Sequence, residues 1–97
     1  MIHALLYPET IAVVGASRTP GKVGHAILSN LLASGFKGRL VPVNPTCTEL
    51  MGLKCYPDVK AAGTRIDLGI VVVPSNAVLQ ATDDLITAGA RAVAVIT

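Results

Sequence analysis

The stretch Ile11-Ala12-Val13-Val14-Gly15-Ala16-Ser17-Arg18-Thr19-Pro20-Gly21-Lys22-Val23-Gly24 decides the fold. Its first four residues are apolar without alternation, as a strand buried on both faces requires. Gly15 permits a sharp turn off that strand. From there Val23, Ile27, Leu28, Leu31 and Leu32 recur at helical spacing and predict one apolar helix face. Gly35 stands where a left-handed residue would end that helix.

The same grammar repeats outward. Leu40-Val41-Pro42-Val43 runs into Asn44-Pro45, Leu68-Gly69-Ile70-Val71-Val72-Val73 runs into Pro74-Ser75-Asn76, and Ala92-Val93-Ala94-Val95-Ile96 comes last. A second helix is expected to start near Ser75 or Asn76, either a suitable N-cap, to bury Val78, Leu79, Leu85 and Ile86, and to close at Gly89. Between Pro45 and Gly63 we expect a loop, then one or two helical turns from about Asp58. Right-handed crossovers turn this order into an α/β, Rossmann-like open parallel sheet with helices on both faces. By analogy with doubly wound folds, the strand order is expected to be 3-2-1-4. Pro42 lacks a ladder donor and predicts a bulge or an early end to its strand.

The 97 residues leave room for one domain, residues 1–97. At 52% hydrophobic and 14% charged, the chain is not a disordered segment, and at 3% aromatic its core must be aliphatic. The net charge of +2 is spread over cations that never form a run, which argues against nucleic acid. No apolar run approaches the ~20 residues that span a bilayer, and Met1–Leu6 lacks a signal peptide's basic start, so no membrane partner and a cytoplasmic location are expected. Cys47 and Cys55 match no metal or redox spacing and are expected to be free thiols. The apolar last strand needs a cover, from further domains of a longer protein or from a second copy in a homo-oligomer.

The loop's chemistry follows from its context. A glycine loop between strand and helix presents free N–H groups and the positive end of a helix dipole, which suits a phosphate. Gly15 turns the chain, Gly21 lets backbone approach an anion, and Gly24 allows close packing on the sheet. Ser17 and Thr19 can add hydroxyl donors and Lys22 a cation. Val23 and Gly24 stand where a Walker A loop has its magnesium-holding hydroxyl, so ATP hydrolysis is disfavoured. After the second strand, a dinucleotide domain has an acid for the ribose 2′-OH. Here Asn44-Pro45 stands instead, which fits coenzyme A, with its 3′-phosphate, better than the alternative, NAD(H). A third reading is a regulatory domain that serves mainly as an interface.

Three stretches together carry a resemblance that covers almost the whole chain. Gly15-Ala16-Ser17…Gly21-Lys22-Val23-Gly24, then Pro42-Val43-Asn44-Pro45 with Glu49…Gly52 and Tyr56-Pro57, then Asp67-Leu68…Val73-Pro74 resemble the CoA-binding domain of NDP-forming acyl-CoA synthetases. That domain also heads related protein lysine acetyltransferases and is similar to the N-terminal domain of the succinyl-CoA synthetase α-subunit. The resemblance implies CoA or acyl-CoA as ligand, with its phosphates on the loop of Pro20, Gly21, Lys22 and Val23. It implies the adenosine end near Asn44, Pro45 and Cys47, the cofactor's flank at Val73, Pro74 and Ser75, and the pantetheine arm passing Ile96 and Thr97. Cys47 departs from a lysine common in succinyl-CoA synthetases, which moves weight to Lys22 or Arg18. The phosphorylated histidine of those synthetases belongs to a later domain. His3 and His25 do not match it and are expected at the surface or in packing, Asp83-Asp84 read as a solvated face, and neither catalytic nor metal-binding residues are expected in this piece.

Overall fold

A computed structural model describes residues 8–96; the expectations for His3 and Thr97 lie outside them. Strand β1 (Thr10–Val14) forms the centre, with Ala12 and Val13 fully buried. It pairs in parallel with β2 (Arg39–Val43) on one side and with β5 (Leu68–Val71) on the other, and β6 (Ala92–Val95) lies beyond β5. The sheet therefore reads β2-β1-β5-β6, all parallel.

Alternation along these strands divides the core in two. Ala12, Val14, Val41, Val43 and Val71 pack with Val59, Ile66 and the buried Ala81 and Leu85 of helix α2 (Ser75–Thr87). Val13 faces the other way, toward Leu28 of helix α1 (Val23–Ala33) and Cys47, Leu50 and Cys55. The expected α/β class, with a parallel sheet and helices on both faces, is what the chain adopts.

Counting only the four long strands, the order is 2-1-3-4, with β5 against β1 instead of outside β2 as the 3-2-1-4 analogy placed it. Pro42 gives the physical reason. Its carbonyl accepts from Tyr56 N at 3.0 Å, on the side of β2 facing away from β1. A residue's N–H and C=O point the same way in a strand, so the missing donor of Pro42 also faces that outer edge. There it costs no ladder bond, and the strand runs through Pro42 without the expected bulge.

Four local expectations change. Glu49–Leu50 (β3) and Leu53–Lys54 (β4) form a small antiparallel hairpin where we expected loop. Met51 (φ 52°) and Gly52 (φ 79°) are both left-handed, the requirement of a type I′ turn, and methionine is a poor signal for one. The turns expected from Asp58 are a single 3₁₀ turn, Lys60–Ala62, with Asp58 Oδ1 accepting from Ala61 N at 2.8 Å. The helix faces also rotate. In α1 the buried residues are Gly24 and Leu28 while Val23 and Leu32 are exposed, because the side chain Gly24 lacks lets the helix settle on that line. In α2 the row Val78, Ala81, Leu85 faces the sheet, leaving Leu79 and Ile86 about 100° round the helix and exposed. Helix α2 is N-capped by Pro74, with Ser75 its first residue, and no side chain caps it. Gly35 and Gly89 end the helices with positive φ as expected.

Candidate functional site

The chain leaves β1 toward β2 on one side of the sheet and later leaves β5 toward β6 on the other. This reversal between β1 and β5 is the switch point at whose strand C-termini ligands of open α/β sheets bind. The loop after β1 opens there.

Gly15 roots it. Its φ is +97°, its N–H donates to Val43 O at 3.0 Å, and a side chain on it would overlap the Val72 carbonyl. Beyond it, Ser17 Oγ accepts from Thr19 N at 3.1 Å. Thr19-Pro20-Gly21-Lys22 then forms a turn closed by Lys22 N donating to Thr19 O at 3.2 Å. Proline in its second position and Gly21 at φ +96° in its third give it the type II signature.

Helix α1 begins at once. Lys22 O accepts from His25 N and Ala26 N, both at 3.1 Å, so the helix leaves the N–H groups of Val23 and Gly24 without intrahelical partners. No side chain caps this end and no acid lies in its first turn. Nothing lies within 4 Å of the space a Gly21 side chain would take, whereas one on Gly24 would overlap the Gly15 carbonyl. Gly24 thus seats the helix against the loop and Gly21 leaves an open backbone surface.

Two side chains brace the loop's root. Asn44 Nδ2 donates to Ala16 O at 2.8 Å, while its Oδ1 accepts from Thr46 N and Thr46 Oγ1, each at 2.8 Å. These partners fix which end of the amide faces which way. His25 Nδ1 lies 3.1 Å from Ser17 O; a carbonyl only accepts, so Nδ1 carries the proton. Sequence reasoning placed His25 at the surface or in packing. The one signal that could have singled it out is its position two residues into α1, within reach of the loop that precedes the helix.

The expected site residues divide into groups. Gly15, Pro45 and Val73 meet in a cleft of about 210 Å³, with an aliphatic lining of Val14, Val43 and Val59 and the polar groups Asp58, Gln80 and Asp84. Asp84 Oδ1 accepts from Gln80 Nε2 at 2.8 Å, so it is more than half of a solvated pair. Arg18, Pro20, Gly21, Lys22 and Val23 are exposed along the loop, and Pro74 and Ser75 are exposed at the start of α2. Ile96, directly after β6, donates its N–H to the carbonyl of Val71, the last residue of β5, at 2.9 Å. None of these last eight lines the cleft. A larger groove of about 520 Å³ lies between the 3₁₀ turn and α2, but no residue of the glycine loop lines it, so we place the site at the strand ends.

Cys47 and Cys55 are both free and buried beside the turn that carries Asn44. Burial, then the neighbouring Cys47, pushes the Cys55 thiol up, against the backbone hydrogen bonds at Asn44 and Tyr56. A thiol raised in the folded state gives stability that is complete below its unfolded pKa and lost as pH rises through the folded one. Stability from urea unfolding is therefore expected to fall as pH rises past the ordinary thiol pKa of about 8.5, and to fall less in Cys55→Ala. An equal decline in the two proteins would remove Cys55 as a cause.

Against known proteins, a family model described as CoA binding domain matches residues 9–97. The ADP-forming acetate–CoA ligase of Methanocaldococcus jannaschii is 40% identical over 91 residues, 94% of this chain and 13% of the relative. The ADP-forming acetate–CoA ligase II of Archaeoglobus fulgidus is 43% identical over 77 residues, 79% of this chain and 11% of the relative. The solved apo form of the dinucleotide forming acetyl-coenzyme A synthetase 1 of Ca. Korarchaeum cryptofilum superposes with a TM-score of 0.95 at 49% identity, over 100% of this chain and 21% of that one. The chain thus spans 11 to 13% of the length of these two curated relatives.

Proposed function

This chain belongs to the CoA-binding domain family, and from that premise we propose that it holds coenzyme A or acyl-CoA for an NDP-forming acyl-CoA synthetase. The diphosphate lies on the Gly15–Gly24 loop. The observation that carries this is the uncapped, acid-free start of α1 behind an open Gly21 backbone, a ready-made anion site. Arg18 and Lys22, both exposed on the same loop, supply mobile positive charge.

The adenosine end occupies the cleft at Gly15, Pro45 and Val73, whose aliphatic lining suits a base and whose Asp58, Gln80 and Asp84 can accept from its amino group. The pantetheine arm then leaves along Val73, Pro74 and Ser75 toward Ile96 and Thr97. This domain binds and orients the cofactor. The acyl-transfer chemistry is supplied by further domains or subunits. The CoA ligases among the relatives favour coenzyme A over the NAD(H) alternative.

Calorimetric titration with CoA, dephospho-CoA and NADH tests the reading. CoA is expected to bind at least about tenfold more tightly than NADH, a difference of about 1.4 kcal/mol. Tight NADH binding with no heat from CoA would overturn it.

A further inference from the structure

The two consecutive carbonyls at the root of the glycine loop, Ala16 and Ser17, are each held by a side chain from a different element. Asn44, just after β2, donates to the first at 2.8 Å; His25, in α1, donates to the second at 3.1 Å. A trans peptide points its C=O and its N–H in opposite directions. A carbonyl pinned toward the protein therefore sends the following residue's N–H away from its anchor. Asn44 sets the direction of Ser17 N–H in this way, and His25 sets that of Arg18 N–H. Among the described residues, neither N–H has a protein acceptor.

We propose that His25 is a positioning residue for the cofactor's diphosphate: its Nδ1–H fixes the Ser17–Arg18 peptide so that Arg18 N–H donates to a phosphate oxygen. The inference rests on the reading that CoA lies on this loop. His25 is half-buried and reaches back across eight residues, tying the helix that seats the anion to the loop that wraps it. Arg18 then contributes through its backbone, whatever its exposed side chain does.

The chemistry of the bond selects the variants. Asparagine places its amide nitrogen close to where Nδ1 stands, glutamine places its own near Nε2, and leucine offers no donor. Each variant is checked for folding by circular dichroism and titrated with CoA. His25→Leu and His25→Gln are expected to weaken CoA binding about three- to tenfold, and His25→Asn to stay within about twofold of the wild type. In proton–nitrogen spectra the Arg18 amide is expected to move downfield on CoA addition in the wild type and in His25→Asn.

Should His25→Leu fail to fold, the contrast between the asparagine and glutamine variants decides. Wild-type affinity in His25→Leu, or equal weakening in all three variants, would overturn the positioning role while leaving CoA binding in place. Failure of the wild-type protein itself to bind CoA would overturn the underlying reading and this inference with it, before any variant is made.

Discussion

Gly15→Ala is expected to destabilise the protein by about 3–5 kcal/mol, combining backbone strain with overpacking. The backbone at φ +97° disfavours any side chain, and the new methyl would fall on the Val72 carbonyl. That carbonyl has little room to retreat, because Val72 N donates to Val14 O at 2.8 Å, continuing the β1–β5 ladder into the turn. For a domain of this size the loss corresponds to a melting temperature lower by about 15–30 °C. Gly21→Ala is the control: it shares the positive φ, at +96°, but has nothing within 4 Å, so it should cost only about 1–2 kcal/mol. Thermal and urea unfolding of both variants measure this difference. A Gly15→Ala protein within 1 kcal/mol of the wild type would mean that the root of the loop can shift, and the geometry argued for it would not stand.

The strands and both helices were legible because each announces itself locally. Ile11–Val14 and Leu68–Val71 are apolar on both faces, and only a parallel sheet covered on both sides asks for that. Strand order is not local, and analogy placed β5 outside β2. Yet the decisive clue was in the sequence: Pro42 fits an edge strand, and the 3-2-1-4 order would have buried it between two neighbours. The hairpin at Met51-Gly52 escaped notice because its left-handed methionine is held by the packing of Leu50, 1% exposed, and not by its own preference. Helix faces were read one residue too broadly. Periodicity alone admits Val23, Leu32, Leu79 and Ile86, and only the small residues Gly24 and Ala81 mark the lines along which the helices approach the sheet.

At the site, the glycines could be read because each meets a steric demand that no other residue meets: Gly15 beside Val72, Gly24 beside Gly15. The bracing residues could not. His25 carries no motif, and its importance lies in a bond to a carbonyl eight residues earlier. Asn44 was noticed for what it is not, an acid, and was assigned to the adenosine end. Its amide nitrogen is in fact turned to Ala16 O and its oxygen is occupied by Thr46, so its structural part is to hold the loop.

Asn44→Asp, nearly isosteric, separates these two descriptions. The carboxylate keeps the acceptor side toward Thr46 but faces Ala16 O with an oxygen where the donor stood at 2.8 Å. Losing that hydrogen bond and freeing the Ala16–Ser17 peptide should cost about 1 kcal/mol of binding. The added charge acts separately: at roughly 8 Å from a phosphate and an effective dielectric of about 20, it repels each ligand charge by about 2 kcal/mol. The lost bond and a single such repulsion together predict CoA binding weaker by at least about 100-fold. Salt separates the parts, since about 1 M salt screens the repulsion between exposed charges but does not restore a missing donor. Asn44→Ala, which lacks the donor but adds no charge, should show the smaller loss at low salt and a matching loss in about 1 M salt, measured by the same calorimetric titration. If Asn44→Asp recovers wild-type affinity in high salt, or Asn44→Ala binds CoA as the wild type does, Asn44 does not brace the loop for the ligand. A residual loss common to both variants in high salt is what a bracing side chain requires.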